Sequence, residues 1–394
     1  MRWGLAAAAL LAAAAIVPAS AETVKVGAIL TLSGPAAAPG IQMERGFKLY
    51  MKEHAKDLPP GVKVELIERD AGGPNPEVAK RLTQELVTRE HVRMMTGVAW
   101  TPNAMAMAPL LTQAKLPLID SNAAGVSITR MSPYIVRVSF TLWQTSYPLA
   151  EWAAQQGKTK AYTVVADYTP GIDAENGFAA GFTEHGGKIV GKTRFPLGNL
   201  DFTPYLQRMA DAKPETCFVF VPTDEAVTMM RALNNLDLAR RGVTLISTMD
   251  LVPDEQLLDM GDVALGLITS GTYSAAAKRP RNQEFVAAWK RAYGANALPD
   301  FTSVQAWDSM AAIYAVVKAT GGKFTGDQAM AILSHWKNPD SPRGPIEVNP
   351  KTRDIIENIY IRKVEKVNGK LANVEFATIP QVKDPWKERN PPKK

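Results

Sequence analysis

From residue 24 onward the chain alternates short apolar runs with stretches of helical period. Val24 to Leu30 is an alternating-to-apolar strand, then Ser33-Gly34-Pro35 turns the chain into a helix carrying Met43, Phe47, Tyr50 and Met51. A strand over Val62–Ile67 follows, then a helix with Val78, Leu82 and Leu86 on one stripe, opened by Asn75-Pro76. A strand at Val92–Thr96, a helix at Pro102–Ala114 and a strand at Leu116–Ile119 complete a first unit. From near Leu142 the alternation resumes. Strands are predicted at Lys160–Ala166, Lys188–Phe195, Thr216–Val221 and Val243–Ser247, with helices at Ala174–Glu184, Tyr205–Ala212, Glu225–Leu236 and Asp254–Met260. Such alternation implies parallel sheets with helices on both faces.

The last third breaks the pattern. After a strand at Gly266–Thr272 come helices at Asn282–Tyr293, Thr302–Ala319 and Gly326–Trp336 with no strands between them. A hairpin-like pair, Ile356–Val367 and Val374–Ile379, then surrounds Asn368-Gly369. Three successive helices do not make a third α/β unit. They fit as cladding for the first, so the chain is expected to cross back before its final strands return to the second.

The length of 394 residues calls for more than one core. Arg2, the apolar run Leu5–Val17 and Ala19-Ser20-Ala21 read as an export signal cleaved after Ala21. The apolar run is shorter than the roughly 18 to 20 residues a membrane span needs, and no later segment is better suited, so membrane insertion is not expected. The net charge of +6 is mild and dispersed, unlike the concentrated basic face of a nucleic-acid binder. The densest charge lies in the tail, Lys383–Lys394, read as a frayed, solvated end. Cys217, the only cysteine, sits in an apolar run and is expected to be buried and inert. The four histidines are dispersed, and CxxC, P-loop, GxSxG and GxGxxG patterns are absent. An enzyme is therefore not expected, and no cofactor or metal is implied.

Open parallel sheets bind ligands at the carboxyl ends of their strands. In the first unit those ends carry Trp100-Thr101-Pro102, with Thr101 placed like an N-cap, and Asp120-Ser121-Asn122-Ala123-Ala124-Gly125, whose small residues admit close backbone approach. In the second they carry Asp167-Tyr168-Thr169-Pro170-Gly171, Pro222-Thr223-Asp224 and Thr248-Met249-Asp250. Phe140 and Trp143 add aromatic surface nearby. Candidate ligand contacts are thus Trp100, Thr101, Ala123, Gly125, Phe140, Tyr168, Pro170, Thr223 and Asp250.

Over these residues the chain resembles the branched-chain amino-acid family of type I periplasmic binding proteins, which serve ABC importers. The ordered set includes Leu32-Ser33-Gly34-Pro35, Arg69-Asp70, Gly97 to Thr101, Asp120 to Ala124, Tyr168 to Gly171 and Ser341 to Ile346. The resemblance implies an α/β fold of two Rossmann-like lobes with parallel sheets, joined by three hinge crossovers near Phe140, Thr272 and Ile346. It divides the chain into a first lobe of residues 22–140 and 273–345, a second of 141–272 and 346–384, and a tail of 385–394. It further implies a periplasmic monomer that closes on a small-molecule ligand and hands it to permease subunits. In amino-acid-binding members the ligand is gripped by a hydroxyl residue matched by Thr101, an alanine carbonyl matched by Ala123, and a threonine two positions on, where this chain has Gly125. Asp250 matches the acidic ammonium partner. The aromatic residues of that clamp fall near Pro39 and Thr223. With half the clamp missing and the cleft rich in aromatics, the pattern resembles the family's divergent aromatic-acid branch; an aromatic or related organic carboxylate is expected first and an amino acid second. A sensory protein, or an enzyme on the same scaffold, are the alternatives.

Overall fold

The computed structural model describes residues 22–198, 201–238 and 240–391; the export signal read over 1–21 lies outside them. The first unit runs β1 (Glu22–Leu30), α1 (Ala38–Glu53), β2 (Val62–Asp70), α2 (Pro76–Thr88), β3 (Met94–Gly97), α3 (Thr101–Ala114), β4 (Leu118–Asp120), α4 (Ile128–Met131) and β5 (Ile135–Arg137). Its strands form a parallel sheet of order β2-β1-β3-β4-β5. The second runs α5 (Leu142–Gln155), β6 (Lys160–Ala166), α6 (Thr169–Glu184), β7 (Lys188–Phe195), α7 (Thr203–Asp211), β8 (Thr216–Phe220), α8 (Ala226–Asn235), β9 (Thr244–Thr248), α9 (Leu257–Met260) and β10 (Ile268–Gly271).

The chain then leaves that sheet for α10 (Pro280–Tyr293), α11 (Phe301–Thr320) and α12 (Gly326–Leu333). The long α11 is buried on nearly every side and packs along α1, while the Tyr293 hydroxyl donates to the Arg45 carbonyl at 2.8 Å. These helices clad the first lobe, as the pattern implies. The chain returns through β11 (Lys337–Asn338), β12 (Ile346–Val348), β13 (Ile355–Val367) and β14 (Lys370–Val382), ending in α13 (Pro385–Arg389). β13 joins the second sheet antiparallel to β10, so the second sheet runs β11-β12-β13-β10-β9-β8-β6-β7, with β14 paired to β13. The molecule is thus a two-lobed α/β protein in which the chain passes three times between lobes.

Several elements differ from the sequence pattern. α4 and β5 are too short to show a period, and α5 contains Pro148, which a pattern reads as a breaker. α6 begins at Thr169 rather than Ala174; Gly171 permits this, because a Cβ there would meet the Ala166 carbonyl oxygen at 1.9 Å. The tail is not frayed where it is described. Lys387 is buried against Asp354 and Thr129, Arg130 stacks over Trp386, and Arg389 pairs with Glu184 at 2.8 Å. Cys217 is fully buried, and burial pushes its thiol up. Among the described residues no helix is long and apolar enough to cross a membrane.

Two buried arginines hold the lobes' joining segments. Arg343 is 1 % exposed; its Nε bonds Asp308 at 2.8 Å, and its terminal nitrogens donate to Glu357 and to the Val138 and Ser139 carbonyls. It therefore clasps the first and third passages together with α11 and β13. Arg137 lies between Asp120 at 3.3 Å and Asp354 at 3.2 Å.

Candidate functional site

The sequence places Gly97 and Val98 at the end of β3. Gly97 has φ 92°, where a Cβ would meet the Ile29 carbonyl oxygen at 2.7 Å. Val98 takes φ 70°, costly for a β-branched side chain at roughly 1–3 kcal/mol. Its amide bonds Ile29 O at 2.8 Å and its carbonyl accepts from Ala123 at 3.0 Å, which hold the turn. The turn delivers Ala99 and Trp100 to the cleft. Trp100, not Thr101, occupies the N-cap position of α3, with φ −116° and ψ 128° and no side-chain cap. Thr101 is the first helical residue, and its hydroxyl accepts the Gly125 N–H at 3.1 Å.

The facing loop is shaped by Asp120. Its Oδ1 accepts from the amides of Asn122 at 3.2 Å and Ala123 at 2.9 Å, and its Oδ2 pairs with Arg137. The same guanidinium donates to the Gly125 carbonyl at 2.6 Å. Burial pushes Asp120 up to about 6 in spite of Arg137. Gly125 is required by packing: a Cβ would stand 2.6 Å from Thr101 Cγ2.

Strand ends of the second lobe complete the walls. Tyr168 is the N-cap residue of α6, Phe220 ends β8, and Asp250 follows β9. Tyr168 stacks on Phe220 at 6.2 Å and stands 6.4 Å from Trp100 across the cleft. Phe140, on the first passage between lobes, meets Phe301 edge-on. Together these residues line a narrow cavity of about 30 Å3.

Of the nine expected contacts, Trp100, Thr101, Phe140, Tyr168, Pro170 and Asp250 line this cavity. Ala123, Gly125 and Thr223 do not. Ala123 spends its amide on the loop and packs in the first lobe's core, Gly125 bonds Thr101 and Arg137, and Thr223 lies outside the lining. Trp143 is likewise taken by packing, against Gly177 of α6. Ala99, Asn122, Ala124, Leu142 and Phe220 line the cavity without having been expected; Phe220 was signalled only by its place at the end of an apolar run.

The chemistry of the walls is one-sided. The lining holds no Lys, Arg or His, and its only carboxylate is Asp250. The N-termini of α3 and α6 reach it from opposite lobes through Thr101 and Pro170, each bringing a positive dipole end. Trp100 is 6 % exposed, and its Nε1–H has no partner; nor has Asn122 Oδ1. A buried polar group left unpaired is costly.

The lobes also touch directly. The Val126 amide donates to Asp173 of α6 at 3.0 Å, and Gln42 of α1 bonds Glu255. Around the second contact Asp250, Asp254 and Glu255 are pushed up by burial to about 6, about 7 and about 8, with Asp300 adding repulsion. The folded protein thus holds protons that unfolded carboxyls release near about 4. Their contribution is complete below about 4 and is lost as pH rises from there through the folded values of about 6 to about 8. The urea midpoint of the unliganded protein is expected to fall across that window, and Glu255→Gln to flatten the fall; an unflattened profile in the variant would contradict this assignment.

A cleft between two α/β lobes, with aromatic walls, an unpaired donor and an unpaired acceptor, is the form of a small-molecule binding protein. Residues 23–370 match the model of the periplasmic binding protein family, and the chain belongs to that family. It is 40 % identical over 371 residues, 93 % of this chain and 94 % of the relative, to Leu/Ile/Val-binding protein homolog 6 of Brucella suis biovar 1 (strain 1330). It is 45 % identical to the solute-binding protein of an ABC transporter from Rhodopseudomonas palustris BisB5, solved with 3,4-dihydroxybenzoic acid; the TM-score is 0.88 over 93 % of this chain and 99 % of that one. A second such protein, from Rhodopseudomonas palustris HaA2 with p-hydroxybenzoic acid, is 40 % identical with a TM-score of 0.90, over 93 % and 100 % of the two chains. The chain is a solute-binding protein of this two-lobed type.

Proposed function

We propose that the protein captures small aromatic carboxylates in the periplasm and presents them, unchanged, to the permease of an ABC importer. The observation that carries this reading is the cavity itself: Trp100, Phe140, Tyr168 and Phe220 wall a narrow space with no basic side chain, while the positive ends of two helices and the unpaired Trp100 Nε1–H favour an anion. Flat walls suit a planar ring, and aromatic pairs add about 0.5–1.5 kcal/mol each beyond burial. The hydroxybenzoates in the two Rhodopseudomonas proteins have this chemistry.

The Leu/Ile/Val name of the Brucella relative favours an amino acid as a second reading. Against it, Gly125 offers no hydroxyl and its carbonyl is occupied by Arg137. The three passages, near Phe140, Thr272 and Ile346, serve as the hinge, so that residues 22–140 with 273–345 move against residues 141–272 with 346–384. An export signal removed after Ala21 and a monomeric state complete the proposal. Small-angle scattering of the refolded protein tests it: saturating 4-hydroxybenzoate is expected to reduce the radius of gyration, and no compaction would refute capture by closure.

A further inference from the structure

Asp250 is the one group in the cavity that an anionic ligand should avoid. It is 8 % exposed and lines the cavity from the second lobe. The Thr248 hydroxyl donates to its Oδ2 at 2.7 Å. A carboxylate has about four acceptor positions, so Thr248 leaves it with capacity to spare. The buried Arg362 does not pair with it directly; that guanidinium bonds the Thr269 hydroxyl and the Tyr273 carbonyl. An acceptor held this way, beside aromatic walls and short of partners, calls for a donor on the bound molecule.

We infer that Asp250 reads a hydroxyl on the ligand's aromatic ring, at the end remote from the ligand's carboxylate. This deepens the aromatic-acid reading and rests on it. Charge sets the orientation. The ligand's carboxylate is repelled by Asp250 on the second lobe and drawn to the N-terminus of α3 and the Trp100 Nε1–H on the first, so the substituted edge of the ring faces Asp250. The donor is a hydroxyl rather than an ammonium. A ligand ammonium would also need a charged acceptor in the first lobe, where the lining offers only the neutral Asn122 Oδ1 and the Arg137 guanidinium stands behind the same loop. A phenol brings a strong donor without a charge to neutralise.

The test compares two ligands of one size, 4-hydroxybenzoate and 4-methylbenzoate, in calorimetric titrations of wild type, Asp250→Ala and Asp250→Asn. Hydrogen bonds to a charged acceptor correspond to a preference of about 10- to 100-fold. Wild type is expected to favour the hydroxylated acid by that factor. Asp250→Ala should bring the two affinities within about threefold, and Asp250→Asn, which keeps a neutral acceptor and the side-chain volume, should fall between. The asparagine variant keeps the test decisive if the alanine variant does not fold. Equal affinities in wild type, or an unchanged ratio in the variants, would overturn the role of Asp250 and leave the aromatic-acid reading standing. Binding of neither acid by wild type would overturn both.

Discussion

Replacing Arg343 with methionine is expected to lower the unfolding free energy by about 3–5 kcal/mol, read as a shift in the urea midpoint at constant slope. The side chain has no exposure to lend, and its partners are carboxylates that burial already disfavours. Asp308 also accepts from Ser341 at 2.8 Å and Asn338 at 3.2 Å, and Glu357 is 1 % exposed. Removing the guanidinium leaves two buried acids facing each other and frees the Val138 and Ser139 carbonyls at once. Those carbonyls lie on the passage leading to Phe140, so the damage should reach the cleft. We expect Arg343→Met to weaken ligand binding more than its distance from the cavity would imply, with Arg343→Lys recovering only part of the stability because lysine cannot span four acceptors with a planar fork. A variant within about 0.5 kcal/mol of wild type, the range of ordinary surface changes, would show that the clasp is dispensable.

The second large effect is at Trp100. Trp100→Ala is expected to cost about 2 kcal/mol or more of binding energy, about thirtyfold in affinity. It removes one wall of the cavity and the only buried indole donor that lines it. Trp100→Phe separates the two contributions: it keeps an aromatic surface toward Tyr168 but loses the Nε1–H, and about a tenfold loss is expected. If phenylalanine binds as well as tryptophan, the indole hydrogen is not directed at the ligand, and the carboxylate is held by backbone donors alone.

Much of this architecture was legible in the chain. The alternation of apolar runs with helical stretches gave both parallel sheets, because β1, β6 and β8 are buried on both faces and their sequences are correspondingly apolar. The position of α10–α12 against the first lobe followed from their lack of intervening strands. β5 and α4 escaped because three or four residues cannot display a period, and α5 because its internal proline mimics a boundary. For the site, the strand-end rule pointed to Trp100, Tyr168 and Asp250, which line one cavity. It could not separate residues that face the cavity from those that build its frame. Ala123 and Gly125 sit in the right loop, yet Asp120, Thr101 and Arg137 consume their polar groups, a pattern of bonds that no local motif announces. Phe220 reached the cavity from the end of a buried strand, where its sequence reads only as core.

The central claim, that the cleft is built for a flat aromatic acid rather than an aliphatic amino acid, is tested most directly by calorimetric titration of the refolded protein with 4-hydroxybenzoate and with leucine. Saturable one-site binding of 4-hydroxybenzoate is expected, with a negative heat-capacity change, the mark of apolar burial, and no saturable heat with leucine. Tight leucine binding without a response to 4-hydroxybenzoate would contradict it, and would mean that the groups withdrawn at Gly125 are replaced elsewhere in the cleft.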